Sequence, residues 1–174
     1  MTNDEIKTAN KTAICSVKNA LIPRIIKNKF PYRDYKMLDF GSGPKAIQTN
    51  ELRLKGYTDV TSYEFGSNVR LGVHLSPNLL RTCDIEMYDL VFASNVLNTL
   101  SSLSAVKETL EKIAWFVNSD GFALFDYPSS PRECKELTLD RLKRLAYKQF
   151  KSVMVENHDG TRVFYCYKQG QNNL

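Results

Sequence analysis

The sequence predicts an α/β domain whose sheet is mostly parallel and closes with an antiparallel hairpin. Short apolar segments with strand-like composition alternate along the chain with segments whose apolar residues recur at helical spacing, the pattern of parallel α/β folds. The last two apolar segments are separated only by the residues NHDGT. Because a parallel return needs about a dozen residues or more, this short connection predicts an antiparallel pair. The length of 174 residues corresponds to one domain.

The N-terminal half contains predicted helices and two clear strands. Residues 37–40 form a short buried strand that stops on glycines, and residues 45–57 follow as a helix that a glycine ends. Residues 59–65 are rich in β-branched and aromatic side chains, which favours a second strand. Pro23 ends the first helix or starts a second one over residues 24–28. The first helix is predicted from apolar residues at helical spacing: Ile6, Ala9, Ala13, Val17 and Leu21.

The middle of the chain is predicted to hold two strong strands around a helix. Residues 66–85 are the least readable, with a short third strand predicted near residues 79–83. Residues 88–94 form a strongly apolar strand, and residues 122–126 form another after an Asp-Gly turn. Between these strands, a helix with Ser104 as its N-cap is predicted from one apolar stripe: Val106, Leu110, Ile113, Ala114 and Val117.

The C-terminal region is predicted to contain one helix and the two strands of the hairpin. Ser130 is a plausible N-cap, with Pro131 at the first helical position and Glu133 at the third. The hairpin strands are residues 150–156 and 162–168. The helical spacing after the cap is continued by four apolar residues: Leu139, Leu142, Leu145 and Ala146.

The turn Gly41-Ser42-Gly43, between a strand and a helix, is arranged so that backbone N–H groups face a bound nucleotide. Asp39 precedes it, where a carboxylate meets a ligand ammonium or orders the loop. Glu64 lies 64 − 43 = 21 positions after the second glycine, near the offset of about 20 residues for an acid that binds ribose hydroxyls. The turn also fits the GxGxxA pattern of NAD enzymes. The closing antiparallel hairpin argues against that reading, because a nicotinamide enzyme normally needs further strands.

The order of these motifs resembles that of class I S-adenosylmethionine-dependent methyltransferases. The segments MLDFGSGPK, VTSYEF, YDLVFASNVLNTL and GFALFDYP are similar to that family's first motif, second motif, post-strand-4 motif and strand-5 segment. The resemblance covers residues 36–168 and implies a Rossmann-like, three-layer sandwich with a mostly parallel, seven-stranded sheet and an antiparallel C-terminal strand. It implies one domain over residues 1–174, with N-terminal helices in 1–35 and a polar tail in 169–174. DFGSGPKAIQT and ASNVLNTL are also similar to small methyltransferase-like proteins of phage and bacterial genomes.

The resemblance implies, position by position, a site for S-adenosylmethionine. Asp39 and the two glycines would line the methionine part, and Glu64 would bind the ribose. Phe65 would lie against the adenine, and Asp84 would accept a hydrogen bond from the adenine amino group. Ser94 would lie at the reactive end of the cofactor. The implied cofactor-binding residues are therefore Asp39, Gly41, Ser42, Gly43, Glu64, Phe65, Asp84 and Ser94.

The implied catalytic residues are Asn95, Asn98 and Tyr127. Lys45 departs from the family pattern, which has a third glycine there, and either contacts the cofactor carboxylate or is solvated. Methyl transfer needs a general base only when the nucleophile must lose a proton, and the sequence shows no obligatory base. The polar groups expected near the carboxyl ends of the strands, where ligands bind in open α/β sheets, are Asn95, Asn98, Asp126, Tyr127 and His74. His74 and His158 are each expected to be surface residues rather than catalysts.

Composition excludes several classes of protein. The net charge is +5, and basic residues concentrate in residues 18–36 and 135–151. A basic surface of this kind favours binding to nucleic acid, and a partner protein is the other possible partner. No apolar run approaches the roughly 18 residues of a membrane span, and the polar N-terminus predicts no targeting peptide, so we expect a cytoplasmic protein without membrane association. The four dispersed cysteines and two histidines predict reduced thiols and no metal site.

Three functions stay open from the sequence. The first is methylation of a small molecule, a protein or a modified nucleotide. The second is a non-catalytic methyltransferase-like subunit that binds nucleic acid or a partner protein, and the third is another reaction of the same cofactor, such as lyase chemistry or aminocarboxypropyl transfer. Conventional DNA-base methylation is disfavoured, because no proline follows Ser94-Asn95, no cysteine follows a proline, and the length leaves no room for a target-recognition domain.

Overall fold

The computed structural model describes residues 20–31, 33–75, 88–127 and 133–169. The strands in these ranges are β1 (Met37–Phe40), β2 (Val60–Tyr63), β3 (Tyr88–Ala93), β4 (Val117–Tyr127), β5 (Ser152–His158) and β6 (Thr161–Tyr167). They form one sheet in the order β2-β1-β3-β4-β6-β5. The first four strands pair in parallel, whereas β6 runs antiparallel to both β4 and β5. The predicted class, an α/β fold with a mostly parallel first part and an antiparallel C-terminal strand, is confirmed.

Six strands are described where seven were predicted, because the predicted third strand at residues 79–83 lies outside the described residues. The prediction for β1 has the observed bounds, and those for β2 and β3 extend past the observed strands by one or two residues. β4 is longer than predicted. It begins at Val117, which was expected to complete the apolar stripe of the preceding helix.

The described helices are α1 (Leu21–Lys29), α2 (Ile47–Leu54), α3 (Leu103–Phe116) and α4 (Leu139–Tyr147). The helices cover both faces of the sheet, which produces the predicted three layers. One buried cluster joins α3 and α4 to the face of β3 that carries Val91 and Ala93. A second cluster joins α1 and α2 to the opposite face, which carries Leu90 and Phe92. The alternation of neighbours on β3 follows from the two-residue period of a strand that is buried on both sides.

Two predicted helix starts are wrong. The N-cap of α3 is Ser102, whose hydroxyl accepts a hydrogen bond from the Ala105 N–H at 3.1 Å, while Ser104 lies inside the first turn and donates to Glu108 at 3.1 Å. α4 begins only after Thr138, whose hydroxyl accepts from the Arg141 N–H at 3.2 Å. Residues 133–138 are not helical, and the predicted cap at residue 130 lies outside the described residues. Both stretches offer several hydroxyls, and only the tertiary path decides which one caps.

The C-terminal hairpin turns through Asp159 and Gly160, whose φ angles are +51° and +84°. Two positive φ values are what a two-residue hairpin turn needs to match the twist of its strands. This hairpin extends the sheet beyond β4. None of the helices in the described ranges is long and apolar enough to cross a membrane.

Candidate active site

The sheet reverses its direction of growth at β1, because β2 lies on one side of it and β3 on the other. In open α/β sheets, ligands bind at such a switch point, outside the carboxyl ends of the strands. The glycine turn after β1 and the loop after β3 meet there. A Cβ atom added to Gly41 would lie 2.7 Å from Cγ2 of Val96, so only glycine allows the two loops to approach this closely.

The glycine turn is attached to the end of β2 by its own backbone. Gly41 and Gly43 have φ angles of +76° and +73°. The N–H groups of Gly41 and Ser42 both donate to the Tyr63 carbonyl, at 2.9 and 3.1 Å. The Gly43 N–H donates to Oε2 of Glu64 at 2.6 Å. The residues that the sequence placed together, 21 positions apart, are therefore in direct contact.

Glu64 is a buried acid that carries only backbone partners among the contacts described. Its Oε1 accepts from the Phe65 N–H at 2.9 Å, while Oε2 accepts from Gly43. The residue is 4% exposed, and burial raises the pKa of its carboxyl above the usual value, with the hydrogen bonds from Phe65 and Gly43 acting in the opposite direction. Each oxygen retains acceptor capacity, since a carboxylate offers about four lone-pair positions.

Asp39 supports the turn from within the sheet. Its Oδ2 accepts a hydrogen bond from the Thr49 hydroxyl at 2.7 Å, which ties β1 to the first turn of α2. Burial raises the pKa of the Asp39 carboxyl to about 7, against a lowering by the Thr49 hydrogen bond and a further raising by the charge of Glu64. Two buried acids with raised pKa values at the carboxyl ends of neighbouring strands, β1 and β2, are typical of a functional site.

His74 lies against the glycine turn, and the expectation that it is at the surface is wrong. The residue is 8% exposed. Its Nε2 is 2.9 Å from the Gly43 carbonyl oxygen, and its Nδ1 accepts from the Arg70 N–H at 2.8 Å. Both partners are backbone groups, which every residue has, so a sequence pattern does not identify them. The contact with Gly43 spans 31 positions, so neither periodicity nor motif spacing identifies it.

A second group of polar residues lies at the carboxyl ends of β3 and β4. Oδ1 of Asp126 accepts from the Asn95 N–H at 2.8 Å, and this holds Asn95 at a φ of +58°. Burial raises the pKa of Asp126 to about 6, with the hydrogen bond from Asn95 opposing it. Oγ of Ser94 and Oδ1 of Asn98 are buried without a hydrogen-bond partner in the described part of the chain. Unpaired buried oxygens are costly, which marks this loop as a candidate ligand contact.

Of the remaining predicted site residues, Tyr127 ends β4, Phe65 follows β2 and Lys45 follows the glycine turn. The Tyr127 hydroxyl donates to the Leu137 carbonyl at 3.0 Å. Phe65 is buried, with its ring centroid 6.0 Å from that of Phe40 and 5.9 Å from that of Tyr63. Lys45 is exposed. Asp84 lies outside the described residues.

Solved structures of S-adenosylmethionine-dependent methyltransferases share this fold. A TehB-like SAM-dependent methyltransferase from Corynebacterium glutamicum has a TM-score of 0.64 and 16% identity, over 88% of this chain and 90% of its own. Magnesium protoporphyrin IX methyltransferase from Synechocystis PCC 6803, with bound SAM, has a TM-score of 0.56 and 9% identity, over 92% and 90%. The 16S rRNA N2 G1207 methyltransferase from T. thermophilus, in complex with AdoMet and guanosine, has a TM-score of 0.60 and 14% identity, over 91% of this chain and 45% of its own.

No protein-family model and no curated protein matches the sequence. The structural likeness shows the fold. The chain has the class I S-adenosylmethionine-dependent methyltransferase fold, as its motifs predicted.

Proposed function

We propose that this chain is an S-adenosylmethionine-dependent methyltransferase that binds its cofactor between the Gly41–Gly43 turn and Glu64. The observation that carries the proposal is the 2.6 Å hydrogen bond between the Gly43 N–H and Glu64 at the switch point of a methyltransferase fold. Each Glu64 oxygen accepts one backbone N–H and keeps one acceptor position. Two adjacent acceptor positions match the two hydroxyls of a ribose.

The other residues at this edge fit the same cofactor. Asp39 and the glycine turn would hold the methionine part, and Phe65 the adenine. Asp84 lies outside the described residues, and its assignment to the adenine amino group is carried by the family resemblance alone. The unpaired Ser94 hydroxyl is at the loop that approaches Gly41, where it would meet the reactive end of the ligand. Bound S-adenosylmethionine supplies an electrophilic methyl group for in-line displacement, so the work of the protein is mainly positioning.

The acceptor would lie over the carboxyl ends of β3 and β4. Asn95 is exposed there and held in a left-handed conformation by Asp126, while Asn98 presents a buried side-chain oxygen. Strained, well-supported residues of this kind concentrate at active sites. We assign Asn95, Asn98 and Tyr127 to the acceptor side, and the acceptor is a small molecule, a protein or a modified nucleotide.

Calorimetric titration tests cofactor binding directly. The wild-type chain is expected to bind S-adenosylmethionine and S-adenosylhomocysteine, and Gly43→Val, which puts a β-branched side chain at a φ of +73°, is expected to abolish binding. Glu64→Gln is expected to weaken it at least tenfold, a loss of about 1.4 kcal/mol. Glu156→Gln, a change of the same type on the C-terminal hairpin, is the matched control. No binding by the wild type at millimolar cofactor would reject the proposal.

A deoxyribose analogue separates the ribose contact from a general structural effect. S-Adenosylhomocysteine that lacks one ribose hydroxyl is expected to bind the wild type more weakly than the parent compound. In Glu64→Gln the two ligands should differ less, because the acceptor of that hydroxyl is already altered. Equal discrimination in both proteins would show that Glu64 does not contact the ribose.

Product analysis distinguishes methyl transfer from other reactions of the same cofactor. With a methyl-labelled donor and a panel of acceptor classes, mass spectrometry should find a labelled acceptor and S-adenosylhomocysteine in equal amounts. Lyase chemistry or aminocarboxypropyl transfer would leave the methyl group on methylthioadenosine instead.

A second candidate function, a subunit that binds nucleic acid, is favoured by the charge of α4 and the segment that follows it. Residues 139–151 carry one acid and five basic residues: Arg141, Lys143, Arg144, Lys148 and Lys151. Within the described ranges only Arg141 of these forms an ion pair, with Glu136 at 3.3 Å. A cluster of basic residues of which four form no ion pair within the described ranges suits a phosphate backbone.

Fluorescence anisotropy with labelled RNA and DNA over a range of salt tests this candidate. The double variant Arg144→Glu, Lys148→Glu is expected to bind at least tenfold more weakly and with a smaller salt slope. Lys107→Glu on α3, a lysine 3.6 Å from Glu111, is the control. Wild-type binding that salt does not change would reject the candidate, and methyl transfer by the isolated chain would reject a purely non-catalytic role.

A further inference from the structure

Both hydrogen-bonding groups of Gly43 are held by side chains. Its N–H donates to Glu64 at 2.6 Å, and its carbonyl oxygen is 2.9 Å from Nε2 of His74. Gly43 has a φ of +73°, a conformation that its own lack of a side chain permits but does not enforce. The carbonyl oxygen also accepts from the Ala46 N–H at 3.1 Å, so the Gly43 backbone is held by Glu64 at its N–H and by His74 and Ala46 at its carbonyl.

The partners of the His74 ring define its protonation state. The Arg70 N–H can only donate, so Nδ1 is an acceptor and carries no proton. The Gly43 carbonyl can only accept, so Nε2 carries the proton and donates it. The ring is therefore the neutral Nε2–H tautomer, with both nitrogens used and 8% of the residue exposed.

The backbone around His74 is anchored to the edge of the sheet. The Ser62 hydroxyl on β2 donates to the Val73 carbonyl, and the Leu75 N–H donates to the Ser62 carbonyl at 2.7 Å. The His74 N–H donates to the Arg70 carbonyl at 3.1 Å, which closes one turn beneath the ring. These contacts on either side of residue 74 leave the ring little freedom to leave Gly43.

We propose that His74 is a positioning residue of the cofactor site: its hydrogen bond to the Gly43 carbonyl, beside that of the Ala46 N–H, restricts the Gly43 backbone torsions so that the Gly43 N–H keeps the Glu64 carboxylate aligned for the cofactor. The inference rests on the proposed function and adds to it a residue that no motif of the sequence identified. The Nε2–H donor contacts the turn, and the Nδ1 acceptor contacts only the segment that carries His74.

Two conservative variants separate these two contacts. In His74→Gln the side-chain amide reaches about as far as Nε2 and can donate to Gly43. In His74→Asn the shorter side chain can accept from the Arg70 N–H in place of Nδ1 but does not reach Gly43. His74→Leu removes both contacts while it keeps the site filled.

Calorimetry with S-adenosylhomocysteine is expected to give His74→Gln an affinity within about threefold of wild type. His74→Asn and His74→Leu are expected to bind about tenfold more weakly, the scale of one lost hydrogen bond. A purely local structural role predicts the reverse order for Gln and Asn. Equal affinities in all four proteins, or a better affinity in His74→Asn than in His74→Gln, would overturn the inference.

Hydrogen exchange at the Gly43 amide gives a readout that needs no cofactor. Exchange should be faster in His74→Asn and His74→Leu than in His74→Gln, because loss of the His74 hydrogen bond to the Gly43 carbonyl loosens the backbone torsions of Gly43 and with them the neighbouring N–H. If the wild type fails to bind any cofactor while this order of exchange holds, the proposed function is wrong and the contact is structural only. If the wild type binds and the exchange rates are all equal, the proposed function stands and the role of His74 is wrong.

Discussion

Two regions of the described chain each contain a glutamate and a histidine, and they have opposite electrostatic environments. At the glycine turn, the Glu64 carboxylate contacts two backbone N–H groups and is 4% exposed, and burial raises its pKa. At the contact between α1 and the C-terminal hairpin, Glu156 is 2.5 Å from the Lys29 ammonium and 2.9 Å from Nε2 of His158. The hydrogen bond from Lys29 lowers the pKa of Glu156.

The difference supports the proposal that the glycine turn is the ligand site. Glu156 in the hairpin lies beside a cation and faces water. Its negative charge therefore costs little free energy, and its ion pair contributes little to the stability of the fold. Glu64 and Asp39 are buried near each other, and the hydrogen-bond donors described for them are neutral groups. Burying acids in this way lowers the stability of the fold. Buried acids with raised pKa values concentrate at functional sites, which supports the proposed role of these two. Four experiments test this comparison.

The largest expected effect comes from adding one methyl group to each of two turn glycines. Gly41→Ala combines a φ of +76° with a Cβ atom 2.7 Å from Val96, whereas Gly160→Ala combines a φ of +84° with open space. Gly160→Ala should lower the free energy of unfolding by about 1 kcal/mol, the conformational cost alone. Gly41→Ala should lower it by about 2–4 kcal/mol because the clash adds to that cost, and it should abolish cofactor binding.

Chemical denaturation measures both effects. In the double variant Gly41→Ala, Val96→Ala the two changes should be less than additive, since the smaller side chain relieves the clash. If Gly41→Ala and Gly160→Ala lower the free energy of unfolding equally, the Val96 side chain moves away from the new methyl group at no cost in free energy.

The two regions should respond to pH in opposite directions. Asp39 has a folded pKa of about 7, above its ordinary 3.8, so the folded state binds its proton more tightly. The contribution of Asp39 to the free energy of unfolding therefore falls as pH rises from about 4 to 7, by an amount on the order of 2–4 kcal/mol. Asp39→Asn should remove that part of the slope.

Glu156 provides the opposite case. Its pKa is lowered, so its pair with Lys29 stabilises the fold above the ordinary pKa of a glutamate and is lost as pH falls through the lowered value. Glu156→Gln should therefore lose less stability in acid than wild type, by under about 1 kcal/mol because the pair is exposed. Denaturation midpoints from pH 3 to 8 measure both slopes. A slope unchanged in Asp39→Asn would show that Asp39 is not the group responsible.

Two left-handed residues provide a third matched pair. Asn95 at the candidate site has a φ of +58°, and Asp159 in the hairpin has a φ of +51°. Replacement of either by glycine should change the free energy of unfolding by less than about 1 kcal/mol, because relief of strain and the added freedom of the unfolded chain oppose each other. Only Asn95→Gly should slow methyl transfer, by at least tenfold, with cofactor affinity kept. Full turnover in Asn95→Gly would remove Asn95 from the acceptor side.

The smallest effect is expected from the hairpin ion pair. Lys29→Ala removes the contact with Glu156 and a cation–π contact with Tyr165, whose ring centroid is 5.1 Å from Nζ. The loss should be under about 1 kcal/mol at low salt and smaller at 0.5 M salt. Cofactor affinity should not change. A tenfold change in cofactor affinity would mean that the hairpin region is energetically coupled to the candidate site. The two regions would then not be independent, as the comparison assumes.

Much of the fold was predictable because it depends on short-range patterns. The alternation of strands and helices, the bounds of β1 and the antiparallel pair β5–β6 follow from residue periodicity and connection length. The start of α4 was not predictable, because several residues before it can cap a helix and the connection from β4 decides among them. The longer β4 was missed because apolar periodicity continues across the junction at Val117.

For the candidate site, the sequence by itself determined the glycine turn and the acid that contacts it. Glycine is required where φ is positive and a loop approaches, and the offset to Glu64 is set by the length of one strand–helix–strand unit. The tertiary structure alone decided the contacts of His74 with Gly43, Thr49 with Asp39 and Asp126 with Asn95. Each of these joins a buried side chain to a group on another segment, and two of them end on a backbone group. Backbone groups are the same in every residue, so only the folded chain shows which side chain meets which peptide.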